Sequence, residues 1–392
     1  MVTSRSTASS ATRLAVFACA LALGTPILAD QGNSGHPGNP GNSGNSGHSG
    51  SYTVRNLVSN VPGLAENLDA NLVNGWGIVA GPTTPTWVSD NGSGHSTVYD
   101  GTGALRLTVV VPAVGMSGPG VPTGVVFNLG ASPTSNDFLV AGSGTAARFM
   151  WSTEDGGIAA WAGGTTATIK FVASNGAVYK GLALAGDGTA HFRIYAADFH
   201  NGKIDVIDST FTKTSVTGGF VDPKIPATFH PFNVMNIQNN LYVTYALCCE
   251  ANSDDEVHGP GLGYVDVFDT DGNLIRRVAT RGKLNAPWGV ALAPAGFGTF
   301  SHHLLVGNFG DGTINAYDPD DFSFSGQLRM PDGRPVTIDG LWGIAFGNGF
   351  QQQPPTTLFF AAGPNDESDG LYGRIDALPR GNDEDDNDDS DD

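Results

Sequence analysis

Four polar clusters follow short apolar runs: Asp90 and Asn91 in TWVSDNG, Asp198 and His200 in YAADFHNG, Asn308 and Asp311 in LVGNFGDG, and Asn365 and Asp366 in AAGPNDE. Carboxylate and amide oxygens are the donors that a hard cation such as Ca2+ takes, six to eight at a time. Asp90, Asp198, Asn308 and Asp366 are therefore candidate metal ligands. A second set, Asn74, Lys180, His230, Asn285 and Asp339, stands just before or at the start of other apolar runs. Of these, Asn74, His230, Asn285 and Asp339, together with His200, are candidate ligand-binding groups. Each position alone also reads as a turn residue, because Asp, Asn and Gly tolerate positive φ and bond to their own backbone in hairpins. On that reading Gly310-Asp311-Gly312 is a joint, and Asn308 just before it the site residue. No nucleophile elbow GxSxG, zinc helix HExxH or phosphate loop GxxxxGK[ST] occurs in the chain.

The least regular stretch, ALCCEANSDDEVHGPGLG at 246–263, brings Cys248, Cys249, Glu250, Asp254, Asp255, Glu256 and His258 close together. It reads as a rim loop or as a surface excursion. Adjacent cysteines cannot staple distant loops; they stand either as two thiols at a strand end or as a vicinal disulfide. The spacing lacks the CxxC and paired histidines of a structural zinc site.

These clusters need elements to hold them, and six similar units supply them. Each opens on a strand of the WGIA kind, at Trp76-Gly77, Thr123-Gly124, Lys180-Gly181, Phe232-Asn233, Trp288-Gly289 and Trp342-Gly343, about 47 to 57 residues apart. A second strand follows (WVSDN, FLVAG, YAADF, YVTYA, LVGNF, FFAAG), then a third that commonly closes on Asp (STVYD, IDVID, VDVFD, INAYD). That period matches one four-stranded blade, so the expected fold is all-β, a six-bladed β-propeller with the WG strand innermost. The glycine lets inner strands approach where the ring is tightest. The sixth unit stops after three strands, so Tyr52 to Val58 is expected to close it as a clasp that leaves no large unpaired edge. In such a ring the turns after the second strands and the loops leading into the innermost strands open on one face, where the candidate residues would meet. Trp151 and Trp161 read either as stacking surfaces or as blade core. Ser301-His302-His303 reads as a loop into a strand.

The ends are different in kind. Residues 1–29 hold Arg5 and Arg13, an apolar stretch and small residues up to Ala29, the pattern of a cleaved secretory signal; the apolar stretch is too short to span about 30 Å of hydrocarbon. Residues 30–50 are a Gly, Asn and Ser-rich linker, 51–380 the propeller, and 381–392 an acidic, extended tail. With 19 basic against 38 acidic residues and a formal charge of -19, the chain excludes nucleic acid as a partner, since phosphate binding needs clustered Lys and Arg. A cation, a neutral small molecule or a cell-surface partner suits it better.

NLVNGWGIVAGPTTPTWVSDNGSGHSTVYDGTG, NAPWGVALAPAGFGTFSHHLLVGNFGDGTINAYD and DGLWGIAFGNG resemble a family of exported bacterial six-bladed propellers, some of them ending in a PEP-CTERM sorting segment, which is similar to NHL and SMP-30/gluconolactonase repeats. The resemblance implies the propeller fold. Through the SMP-30 likeness it also implies a channel metal serving lactone or ester hydrolysis. Two functions follow as expectations: a secreted module binding a ligand or partner at its face, or a divalent-cation-dependent hydrolase or lyase.

Overall fold

The structure is a computed structural model that describes residues 50–132, 135–140, 144–249 and 254–379. The expected leader, the acidic tail and all but the last residue of the linker lie outside the described residues. Apart from one 3-10 turn at Gly298–Phe300, every element among the described residues is a strand.

Six antiparallel sheets form the blades. Their innermost strands are Gly75–Val79, Pro122–Phe127, Tyr179–Gly186, Phe229–Ile237, Pro287–Leu292 and Leu341–Phe346, as the repeat predicts. Most second strands are almost wholly buried because each side faces a neighbouring blade. In Leu304–Asn308, Leu304 and Val306 pack into the core between the fourth and fifth blades, and Leu305 into the one between the fifth and sixth. Two-sided burial is why these strands read as continuous apolar runs.

Ring closure depends on close approach of the inner strands. A Cβ added to Gly77, Gly124, Gly181, Gly289 or Gly343 would meet the next inner strand at under 3.0 Å, and the last of these contacts, to Trp76 O, joins the sixth blade to the first. The fourth blade has Asn233 instead. Its Nδ2 donates to Trp288 O at 2.9 Å, and its Oδ1 accepts from Val234 N at 2.8 Å, so the amide bridges to the fifth blade.

The clasp forms as expected. Tyr52–Ser59 pairs antiparallel with Leu371–Ala377, Tyr52 opposite Ala377 and Ser59 opposite Leu371. Asn67–Leu68 adds a short parallel strand outside it. Tyr52 also reaches the fifth blade: its hydroxyl donates to Phe297 O at 3.0 Å and accepts from Phe300 N at 3.2 Å.

The second blade departs from the sequence reading. FLVAG is not its second strand; Leu139–Val140 pairs with Thr145–Ala146 in a separate ribbon, and the blade continues with Phe149–Thr153, Gly157–Trp161 and Thr168–Val172. Phe138 is buried in the core between the second and third blades, so the inserted segment carries the same apolar signal as a blade strand. Trp151 and Trp161 are likewise core, packed with Trp87 and Phe149 between the first two blades, which removes them as stacking surfaces. Ser301 to His303 form a turn into Leu304–Asn308, with Ser301 Oγ on Gly298 O.

Candidate ligand site at one face of the ring

The axis of the ring is filled by aromatic side chains. Trp76, Trp288 and Trp342 from three WG strands join Phe199 and Phe232 in one buried cluster, with Phe309 packed against it. Trp76 stacks on Trp342 with centroids 3.6 Å apart, and Phe309 on Trp342 at 4.0 Å. The expected open channel is thereby reduced to a cup above an aromatic floor.

Above the floor a cavity of about 300 Å³ is lined by Asp255, Glu256, His258, Phe309, Gly310, Asp339, Gly340, Gly363, Asp366 and Glu367. The loop at 254–263 builds one wall, because Glu256–Val257 folds back to pair with Leu247 and Cys248. It is a rim loop rather than a surface excursion. Asn285 anchors it by accepting from Gly259 N at 2.6 Å, and Asn285 Nδ2 donates to Asp311 at 3.2 Å. His200 fastens the other end, with Nδ1 2.6 Å from Asp254 Oδ1; that contact raises the histidine pKa.

A polar belt continues from the cavity over the remaining blades. Glu367 accepts from Asn74 Nδ2 at 2.6 Å, and Asn74 Oδ1 accepts from Trp342 Nε1 at 3.2 Å. Asn91 Nδ2 donates to Glu154 at 2.8 Å, and Glu154 binds Lys180 Nζ at 2.7 Å. Lys180 is buried, lies 5.1 Å over the Trp76 ring and reaches Asp255 at 3.5 Å. Burial works against its charge, but the carboxylates of Glu154, Glu256 and Asp255 overrule it, so its pKa is raised and the ammonium persists. Burial pushes Glu256 up to about 7, against the pull of Lys180. Burial also raises Glu367, opposed by the Asn74 hydrogen bond and Lys180. Five carboxyl groups, those of Asp255, Glu256, Asp339, Asp366 and Glu367, thus line the cavity with no Lys or Arg among them, and the Lys180–Glu154 pair lies beside it.

The candidate residues separate into two groups. Asn74, Asn285, Asp339 and Asp366 stand at the cavity or on its belt; Asp339 accepts from Asn365 N at 2.9 Å. Asp90, Asp198 and Asn308 do not meet Asp366 there. Each is fully buried at the base of its own hairpin. Asp198 accepts from Asn201 Nδ2 at 2.9 Å and pairs with Lys203 at 3.1 Å, while Asn308 donates to Lys283 O at 2.8 Å and accepts from Asn285 N at 3.1 Å. Asp90 takes one bond from Thr97 at 3.2 Å, and burial drives its pKa well above the carboxylate range. Their place at the strand end is the turn-capping role that Asp and Asn fill. His230 is not among the residues lining the cavity; its Nδ1 lies 2.5 Å from Phe199 O.

Among the described residues, the only group of three His, Cys, Asp or Glu side chains whose ligand atoms all lie within 4.8 Å of one another is His230, Cys248 and Cys249. Among the described residues no three carboxylates have oxygens all within 4.8 Å of one another. Glu154 and Glu367 went unnoticed in the sequence. Glu154 is the counterpart of Asn91 in the turn after the second strand, and the misplaced strand at FLVAG hid it. Glu367 follows directly on Asp366. The opposite face has a second cavity, about 330 Å³, lined by Ile78, Val126, Phe127, Leu182, Leu184 and Met235 among others, with no ionisable side chain.

The fold and this face define a six-bladed propeller with an acidic cup. The chain is 32% identical over 336 residues to Uncharacterized protein R648 of Acanthamoeba polyphaga mimivirus, covering 83% of this chain and 80% of that protein. It is 31% identical over 336 residues to Uncharacterized protein L690 of the same virus, covering 83% and 86%. The chain belongs to the family of these proteins. They are giant-virus proteins, whereas the sequence motifs pointed to exported bacterial propellers. No family model matches the chain. Among solved structures, a streptogramin B lyase aligns at 11% identity over 84% of this chain and 98% of that one, TM-score 0.49. A PQQ-bound aldose sugar dehydrogenase from Streptomyces coelicolor aligns at 14% over 84% and 98%, TM-score 0.47. Among the described residues no helix is long and apolar enough to cross a membrane.

Proposed function

We propose that the protein is a binding propeller whose acidic cup takes an organic cation, an ammonium or guanidinium group carried by a small molecule or by a side chain of an extracellular partner. The observation that carries this is the gathering of five carboxyl groups, with no Lys or Arg among the lining residues, at a cavity of about 300 Å³. Converging like charges with a low-dielectric floor focus a field that attracts the opposite charge. Phe309 in the cavity wall offers the aromatic surface on which such cations gain further attraction. A bare ion suits the cup less well, because calcium needs oxygens gathered within bonding distance of one point, and the carboxylates here are spread around a wider space. Calcium, expected from the sequence, is therefore the competing ligand. Placement outside the cell rests on the leader-like residues 1–29.

Titration calorimetry with ethylammonium, methylguanidinium and Ca2+ as separate probes tests this reading. Saturable heat with an organic cation, lost in the double variant Asp366→Asn/Glu367→Gln and kept in Asp208→Asn, is expected. Binding of Ca2+ alone, or of no cation, overturns it.

The hydrolase or lyase reading draws on a single observation: His258 and Glu256 share the cavity wall, which puts two groups capable of proton transfer within reach of one bound molecule. Turnover of a lactone or ester that is lost in His258→Gln would favour it over simple binding.

A further inference from the structure

We propose that His230, Cys248 and Cys249 form a soft-metal site that is open when the two thiols are reduced and shut when they are joined as a disulfide. This inference is independent of the cation-binding cup. The ligand atoms of all three residues lie within 4.8 Å of one another, and all three side chains are half-buried. Two neighbouring strands bring them together. His230 stands opposite Ala246, and Cys248 donates its backbone N–H to Thr228 O at 2.8 Å, which puts the cysteine on the diagonal from the histidine.

The imidazole is oriented as a ligand. Its Nδ1 lies 2.5 Å from Phe199 O. A carbonyl can only accept, so Nδ1 carries the proton and Nε2 keeps its lone pair. A ligating histidine is commonly held in this way by an outer partner. Space beside the ring is kept by Gly202, where a Cβ would lie 3.1 Å from Nε2. The aromatic cluster of Trp76, Phe199, Phe232, Trp288 and Trp342 backs the two cysteines and limits access of water from that side.

The donor set decides the metal. Two thiolates and an imidazole select Zn2+, Cd2+ or Cu+ and not Ca2+ or Mg2+. Three protein ligands of this kind leave the fourth tetrahedral position of zinc open. Adjacent cysteines can also close a vicinal disulfide, so the pair has an oxidised form without thiolates to offer. Opening consumes two electrons and two protons: two molecules of a low-molecular-weight thiol supply them and leave as their own disulfide. Binding a divalent ion then releases both thiol protons.

The test uses the full chain carrying Cys19→Ser, so that the pair supplies the only thiols. After reduction with a phosphine and anaerobic desalting, Co2+ is titrated in. One equivalent should produce a thiolate-to-cobalt charge-transfer band with the strong d–d bands of a tetrahedral ion, and Zn2+ should bleach both. The same protein left oxidised should show neither. His230→Gln should weaken binding by more than about tenfold, since loss of an outer-shell partner alone costs 10- to 100-fold. Absence of the charge-transfer band in reduced protein, an equal response when oxidised, or unchanged affinity in a folded His230→Gln overturns the proposal. X-ray absorption of the zinc-loaded, otherwise unaltered protein needs no histidine variant: two sulfur donors and at least one nitrogen are expected, and a shell without sulfur refutes the site.

Discussion

Lys180→Met removes the ammonium group that Glu154 and Asp255 share beside the cavity while keeping most of the side-chain volume over Trp76. Lys180 is 3% exposed and its main partner Glu154, 2.7 Å away, is 25% exposed. Breaking a buried ion pair from one side costs about 3 to 5 kcal/mol, because the other charge is left uncompensated. Glu154 keeps the hydrogen bond from Asn91 and some access to water, and Asp255, 81% exposed, adds little. The loss should therefore fall near the lower limit, about 3 kcal/mol. At about 2 °C per kcal/mol for a large domain, the melting temperature should drop by roughly 6 °C. The variant should also respond more strongly than wild type to added ethylammonium, because the vacated carboxylates become available to an external cation. Calorimetric melting of both proteins with and without the ion is the assay. A variant that melts with the wild type, or gains nothing more from the cation, would show that Lys180 does not balance these carboxylates.

Deleting the chain through Ser59 should collapse the ring, since Tyr52, Leu57 and Val58 are buried by the clasp and contribute about 1.5 to 3 kcal/mol each against a total of about 5 to 15; deleting only residues 31–49 should leave the melting temperature unchanged. Gly343→Ala should cost about 1 to 3 kcal/mol or more, because the new Cβ would meet Trp76 O at 2.5 Å, whereas Gly186→Ala, with nothing nearer than 3.4 Å, should be close to neutral by denaturant titration. Against the upward pull of burial, hydrogen bonds from Thr102 and Arg106 hold Asp100 low, those from Lys203 and Lys213 hold Asp205 low, and those from Arg374 and Thr357 hold Asp376 low. A depressed carboxylate stabilises the fold above its unfolded pKa of about 3.9, so melting temperatures should fall as pH drops below about 4, and Asp100→Asn should flatten part of that fall.

The propeller was legible because its signal is repeated. Six WG-like strands mark six inner strands, and the unassigned Tyr52 to Val58 had only the incomplete sixth blade to complete. The same repetition misled at FLVAG, where an apolar insertion imitates a strand whose true counterpart, FMWST, lies eleven residues on. The candidate site was legible only as a face. Asn74, Asn285, Asp339 and Asp366 were found because the lead-in loops and turns share one side of a blade. Asp90, Asp198 and Asn308 have the same residue types but are the last residues of their second strands, where the side chain is buried against nearby turn and loop groups. Which of two neighbouring polar residues points to the axis depends on turn geometry that residue type does not encode. The tryptophans were read for the glycine beside them, and their place on the axis follows only once three blades are set around it.

Crystallography of the protein with ethylammonium tests the central claim most directly. The account predicts density for the ion in the cup, its nitrogen within hydrogen-bond distance of two or more of Asp255, Glu256, Asp339, Asp366 and Glu367, and its carbon chain against Phe309. An empty cup at a saturating concentration, or an ion bound only among the carboxylates of the outer blade edges, would contradict it.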